Sequence, residues 1–236
     1  VLIHAGTSGW SYKEWKGAFY PADLPADAML RYYAERLPAV EINNSFYRMP
    51  RESVLLDWAA QVPSGFRFVL KASRRITHIN RLGERDDSLE YFLRIANVLG
   101  ERLGPTLFQC PPTLRKDLVL LRGFLGRLPR TWRSAMEFRH DSWFDDEVYD
   151  ALREHEVALV AVEEDEGSTP LVPTAPWGYL RLRKMVYTDT ELESWAARVR
   201  SQPWQQAFVF LKHEEDSPAG PDAAVRLKKL VLDSAP

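Results

Sequence analysis

Short apolar runs alternate with longer amphipathic ones almost from end to end of this chain, and that alternation limits the folds open to it. Strand-like runs stand at "LIHAGTS", "AVEINNSF", "FRFVLKAS", "PTLFQC", "RSAMEFR", "VALVAVE", "GYLRLR" and "AFVFLKH". Helix-like segments lie between them. "DAMLRYYAERL" spans 27–37, with Asp27 as its expected N-cap. "ESVLLDWAAQV" carries Val54, Leu55, Trp58 and Val62 at helical spacing, and "SLEYFLRIANVLG" is closed by Gly100. "LVLLRGFLGRL", "DDEVYDALREH", "DTELESWAARVR" and "DAAVRLKKLVL" continue the series. The sixth gap differs: residues 164–176, "EDEGSTPLVPTAP", hold three prolines and no helical period, so a loop or a very short helix is expected there.

Strands that alternate with helices pair in parallel through right-handed crossovers. Eight such units in 236 residues predict a TIM (β/α)8 barrel, a single domain over residues 1–236 with the sixth crossover helix short or missing. The rival is a doubly wound open sheet, which usually carries a Gly-rich phosphate loop after its first strand. Here "GTSGWS" has no GxGxxG, and no helix starts directly after it.

Charge and cysteine usage narrow the classes further. The formal net charge of -2 provides no global field for nucleic acid or an acidic membrane surface, although a local basic patch stays open. The single cysteine, Cys110, cannot form an intramolecular disulfide; it reads as a small packing residue in a reduced, cytoplasmic setting. No apolar run reaches the roughly 18 residues of a membrane span, and "VLIHAGTSGW" reads as a strand rather than a signal peptide. Neither a GxSxG elbow nor a P-loop occurs.

The strand ends carry the chemistry. Side chains alternate along a strand, so if Val40 and Ile42 face the helices, Glu41 and Asn43 face the barrel interior. They stand at the C-terminal end, where TIM barrels place their active sites. The same reading puts Lys71 with Val69, Gln109 with Leu107, Glu137 with Arg139, Arg181 with Arg183, and Lys212 with Phe208 and Phe210; Glu163 ends the sixth strand. Buried unpaired charges are costly, so these groups must pair, reach water or bind something. A salt-bridged plug closing the barrel is the alternative to a polar ligand site.

The loops after these strands add aromatic and basic residues. "SGWSYKEWKGAFYP" brings Trp10, Tyr12, Trp15 and Tyr20; "KASRRITHINRL" brings Arg74, Arg75, His78 and Arg81; "EFRHDSW" brings His140 and Trp143. Flat faces beside positive charge suit sugar phosphates, nucleotides or single-stranded nucleic acid. His4 reads as a satisfied interior histidine and His155 as a helix C-terminal one. His78, His140 and His213 can reach the mouth, where with glutamates they could hold a divalent metal. No HxH or HExxH spacing supports that set, and no residue is assigned as a metal ligand.

Taken in order, "GTSGWSYKEWKGAFYP", "VEINNSFYRMP", "FRFVLKASRRITH", "LFQCPP" and "EFRHDSW" resemble the DUF72 family (YecE-like proteins), named for its unknown function. The resemblance covers about the first 150 residues. It implies a TIM barrel and a shared cleft holding Trp10, Glu41, Asn43, Asn44, Lys71, His78, Gln109, Glu137, Arg139 and His140, and it implies no established reaction. The C-terminal third departs from the family pattern: "YLRLRK" stands where an Arg-Phe-His-Gly type segment is usual, and "LKHEEDSPAG" where an Asn-rich turn is usual.

Three functions fit these residues. The first is an enzyme, a hydrolase or isomerase acting on an anionic, phosphate-bearing substrate. Its candidate catalytic set is Glu137, Glu41, Lys71 and Arg139: one glutamate, Glu137 or Glu41, acts as general base or acid, with Lys71, Arg139 and Arg181 holding the anion. The candidate ligand-binding set is Trp10, Asn43, Asn44, Arg74, His78, Gln109, His140, Trp143, Glu163 and Arg181. The second is a non-catalytic binder of single-stranded nucleic acid, and the third a sensor for a small ligand.

Overall fold

Parallel pairing runs in one closed circuit. The computed structural model describes residues 1–212 and 219–232. Its strands are β1 (Leu2–Thr7), β2 (Ala39–Ile42), β3 (Arg67–Lys71), β4 (Leu103–Gln109), β5 (Ser134–Glu137), β6 (Ala158–Glu164), β7 (Gly167–Ser168), β8 (Trp177–Leu182) and β9 (Gln206–Leu211). The order β5-β4-β3-β2-β1-β9-β8-β6 closes on itself through a β5–β6 pairing, and each of these eight strands lies parallel to its neighbours. This is a TIM barrel. The two residues of β7 fold back antiparallel on β6.

Helices α1 (Met29–Arg36), α2 (Glu52–Ala60), α3 (Ser88–Ala96), α4 (Leu118–Arg127), α5 (Asp146–Glu154), α6 (Asp189–Arg200) and α7 (Ala219–Leu232) follow their strands. Between β6 and β8 there is no helix, as the proline-rich stretch predicts. Asp117, Asp145 and Thr188 cap α4, α5 and α6 through side-chain oxygens. Asp27 does not cap α1; it lies in a 3-10 turn, Ala26–Ala28, and the helix starts after it. Gly100 supplies a positive φ of 54° where the turn after α3 re-enters the sheet.

Two apolar clusters follow from strand alternation. Val40, Ile42, Phe68, Leu70, Phe108 and Met136 face outward and pack in the helix layer. Val69, Leu107, Val160, Tyr179, Phe208 and Phe210 fill the barrel. The interior is uneven: bulky rings from β8 and β9 lie against alanines from β2, β5 and β6. Gly6 of β1 completes the fit, because a Cβ there would sit 2.0 Å from the Ala39 carbonyl oxygen and 3.2 Å from Phe210. His4 closes the lower end, stacked on Phe208 at 4.6 Å, with burial lowering its pKa to about 4.

These packing limits make opposite demands on two glycines. Gly6→Ala forces backbone displacement in the barrel wall and should cost at least about 1–3 kcal/mol. Gly123→Ala in α4, where a Cβ meets nothing within 4 Å, should add about 0.5–1 kcal/mol. Urea unfolding of the two variants beside the parent measures both signs.

Candidate functional site

Three strands meet at one guanidinium. Arg181 near the end of β8 points into the barrel mouth, where its Nη2 donates to Glu41 Oε1 at 2.7 Å and its Nη1 to Glu137 Oε2 at 2.8 Å. All three side chains are buried, at 3%, 0% and 2% exposure, so the bonds are not diluted by water. Glu41 also accepts from Ser8 Oγ at 2.8 Å, Tyr179 Oη at 2.6 Å and Asn43 Nδ2 at 3.2 Å. Glu137 accepts from Gln109 Nε2 at 2.8 Å and Arg139 Nε at 3.2 Å. The expectation that Glu41 faces inward is thus met, and the run of polar residues at its strand end has a physical reason.

This bonding sets the protonation states. Burial alone would raise the Glu137 pKa, but the charges of Arg181 and Arg139 and the donated hydrogen bonds offset it and hold it down at about 2. Glu41 is lowered in the same way by Arg181, Tyr179 and Ser8, against its own burial. Burial opposes the Arg181 charge, yet the two glutamates raise its pKa. Both carboxylates are therefore held ionised with their lone pairs engaged, a state suited to positioning rather than to proton exchange at neutral pH.

Above this layer three cations keep free donors. The side chain of Lys71, at the end of β3, makes no hydrogen bond or ion pair among the described residues; its Nζ lies 4.1 Å from the Phe46 ring centroid. Burial first, then the Arg181 charge, push its pKa down to about 8, against the pull of Glu137 and Glu41. Among the described residues Arg139 uses only Nε, on Glu137, and its terminal nitrogens have no partner, with 40% of the side chain exposed. The Arg183 side chain forms a long ion pair with Glu164, 3.7 Å, and no hydrogen bond among the described residues. The Arg139 charge acts on Lys71, His78 and Arg183 alike, which puts all four in one neighbourhood. A cleft of about 280 Å³ opens there beside Glu137, Arg139, Val162, Glu164 and Thr169.

The loop after β3 holds His78 over this region. It forms a π-helical turn, Arg75–Ile79, then places Arg81 and Leu82 at φ of 51° and 66°, a conformation that costs non-glycine residues energy. Asp86 ties the loop through Arg75 and Asn80, both at 2.7 Å, and Arg81 donates to the Thr113 carbonyl at 2.9 Å. His78 packs edge-on to Phe46, with Nδ1 2.9 Å from Thr77 Oγ1. Burial first, then Lys71 and Arg139, lower its pKa and favour the neutral imidazole.

A second hollow of about 390 Å³ lies beside the mouth, lined by Trp10, Tyr12, Asp27, Asn43, Asn44 and Trp58 among others. Trp10 meets Trp58 edge to face at 4.8 Å. Asn43 belongs to both places, since it lines this hollow and donates to Glu41.

Several sequence expectations need correction. Glu163 does not join the mouth: Val160 and Val162 face inward, so Glu163 faces the helices, where it accepts from Trp195 Nε1 at 2.7 Å and pairs with Lys184. Its neighbour Glu164 takes the inward position. Trp143 is wholly buried, stacked on Phe138 at 4.5 Å with Nε1 donating to the Leu114 carbonyl, so it offers no face to a ligand. His140 turns into its own loop, its Nδ1 accepting from Ser142 N. Arg74 stands exposed on the rim. The His–Glu metal set is not assembled among the described residues, where no group of three His, Cys, Asp or Glu side chains could hold an ion; His213 lies outside them. Cys110 is wholly buried and burial pushes its thiol pKa up, in keeping with a packing role. Tyr179, Ser8 and Arg183 belong to the site beyond the candidate sets. Tyr179 was detectable in principle, two residues before Arg181 on the same strand face.

A TIM barrel with an ion-bonded mouth at the C-terminal ends of its strands is the class these residues define. The family model for "Protein of unknown function DUF72" matches residues 4–235, and the chain belongs to that family. The UPF0759 protein YecE of Escherichia coli is 31% identical over 144 residues, 61% of this chain; the match spans only half of that relative's length. The UPF0759 protein YunF of Bacillus subtilis is 25% identical, with 98% of this chain and 94% of that protein covered. A DUF72 family crystal structure from Thermotoga maritima superposes with a TM-score of 0.86 at 26% identity, covering 98% of this chain and 100% of that one. No helix among the described residues is long and apolar enough to cross a membrane.

The central bonding gives a pH signature. The folded carboxylates bind protons more weakly than the unfolded ones, so their stabilisation is complete above the ordinary value of 4.5 and is lost as pH falls toward about 2. Arg181→Leu strands two buried carboxylates and should cost at least about 3–5 kcal/mol. If that variant folds, its stability should improve, not fall, as pH drops from 6 to 4, because protonation relieves the stranded charges. Urea titrations across that range test the reversal.

Proposed function

We propose that this protein binds a small anionic, phosphate-bearing molecule at the C-terminal mouth of the barrel and acts on it as an enzyme. One observation carries the reading: both terminal nitrogens of Arg181 are held by two buried carboxylates, while Lys71, Arg139 and Arg183 keep donors that no protein group uses among the described residues. A phosphate or carboxylate group would satisfy them, and guanidinium pairs suit such oxygens geometrically.

Of the hydrolase and isomerase readings, the site favours chemistry at a carbonyl. Glu41 and Glu137 are too firmly ionised to exchange protons, so neither is well matched to general acid–base work at neutral pH. His78 is better placed for that task, neutral and half-buried beside Lys71. Glu41, Glu137, Gln109 and Tyr179 then act as positioning residues that hold Arg181 and Arg139. The nucleic-acid reading keeps only part of its platform: Trp15 and Tyr20 are buried, while Trp10 and Tyr12 are half-buried and line the second hollow.

Isothermal titration with inorganic phosphate and small sugar phosphates tests the binding. The expected result is saturable binding that weakens with added salt and falls roughly tenfold, about 1.4 kcal/mol, in each of Arg139→Met and Arg183→Met. Absence of binding, or binding indifferent to both variants, would overturn it.

A further inference from the structure

The Lys71 side chain differs from three other half-buried amines. Lys116 pairs with Asp145 and Glu147, Lys184 with Glu163 and Glu191, and Lys228 donates to the Arg36 carbonyl. Each is tied into the surface. Lys71 instead ends a barrel strand, on the inward face it shares with Val69, at the end where this fold places reacting groups. One side of it is the Phe46 ring. That ring is fixed by the 3-10 turn Asn44–Phe46, whose Ser45 Oγ bonds the carbonyls of both Ile42 and Lys71 at 2.8 and 2.7 Å. The amine is therefore half-shielded by an aromatic wall and anchored at its own backbone.

The charges around it work in opposite directions. Glu41 on β2 and Glu137 on β5 favour the ammonium form, but Arg181 binds both and Arg139 also bonds Glu137, so their pull is partly offset. The charges of Arg181 on β8 and Arg139 after β5 oppose its protonation, and its own charge acts on His78 in the loop after β3, which packs on the same Phe46 ring. An amine desolvated and set beside a fixed cation is the arrangement that turns lysine into a nucleophile. Its pKa near 8 agrees with that geometry.

We propose that Lys71 is the covalent centre of this site, forming a reversible imine with the carbonyl group of a small anionic aldehyde or ketone whose anionic end rests on Arg139 and Arg183. The unprotonated Nζ adds its electron pair to the carbonyl carbon, forming the C–N bond. The carbonyl oxygen takes up the two protons that the amine gives up and leaves as water. One carbonyl compound and one amine thus give one imine and one molecule of water, and no electrons are gained or lost. His78, neutral and adjacent, is the group available to move protons to the departing oxygen. The idea rests on the anion-binding reading above and specifies its substrate class.

Reductive trapping tests it. The whole chain is incubated with dihydroxyacetone phosphate at pH 8, and in parallel with pyruvate, then treated with sodium borohydride and mapped by peptide mass. The expected result with at least one probe is a single reduced adduct at Lys71, lost in Lys71→Arg, which keeps the charge, and suppressed by inorganic phosphate. Adducts scattered over surface lysines, or none at Lys71 with either probe, overturn the proposal. Phosphate binding measured on the same sample separates the failures. Binding without an adduct removes the imine and leaves the anion site standing. Neither binding nor an adduct removes both.

Discussion

The contact among Glu41, Arg181 and Glu137 is the constraint on which the mouth of this barrel depends. It joins β2, β8 and β5 across the interior, between residues 140 and 44 positions apart in the chain. Burying three charges costs several kcal/mol each, and their attraction repays that only with good geometry and with the remaining lone pairs satisfied. Ser8, Tyr179, Asn43, Gln109 and Arg139 supply the carboxylates' remaining partners, while Arg181 Nε is buried without one among the described residues. A layer of leucine and valine would close a barrel comparably well, so stability alone gives little reason for the ions.

What the ions do provide is a fixed positive field. With both carboxylates bound to Arg181, and Glu137 also bonded to Arg139, they offset the charge of Lys71 only in part. Burial and that uncancelled charge together depress Lys71, His78 and Arg183 toward their neutral forms. Under the proposed function, the same arrangement would attract an anion, keep one amine reactive and leave one imidazole able to accept a proton. Structural closure and chemistry are thus one device: the charges that brace the strands are the ones that tune the groups above them.

Most of the architecture was legible in the chain because each strand-plus-helix unit announces itself by a change of period, and the missing sixth helix by its prolines. Inward parity could be read wherever one face of a strand carried a polar tip, as for Glu41, Lys71, Gln109, Glu137 and Arg181. It failed at β6, where "VALVAVEE" is apolar on both faces and ends in two glutamates, so the pattern does not say which one turns inward. Trp143 was hidden for another reason: a loop aromatic shows nothing in sequence of the Phe138 ring that covers it. The glutamates' roles were beyond reach as well. Whether a carboxylate is a proton shuttle or a clamp depends on partners more than a hundred residues away, here Tyr179 and Arg181 for Glu41.

The positive field of the mouth can be read directly from the titration of Lys71. Carbon-13 labelling of the lysine side chains by reductive methylation, with Lys71→Arg used to assign the resonance, gives its pKa by NMR with and without inorganic phosphate. A midpoint near 8 that rises when phosphate binds is the expected result. A midpoint at the ordinary 10.5, unmoved by phosphate, would contradict a desolvated amine in a cationic mouth.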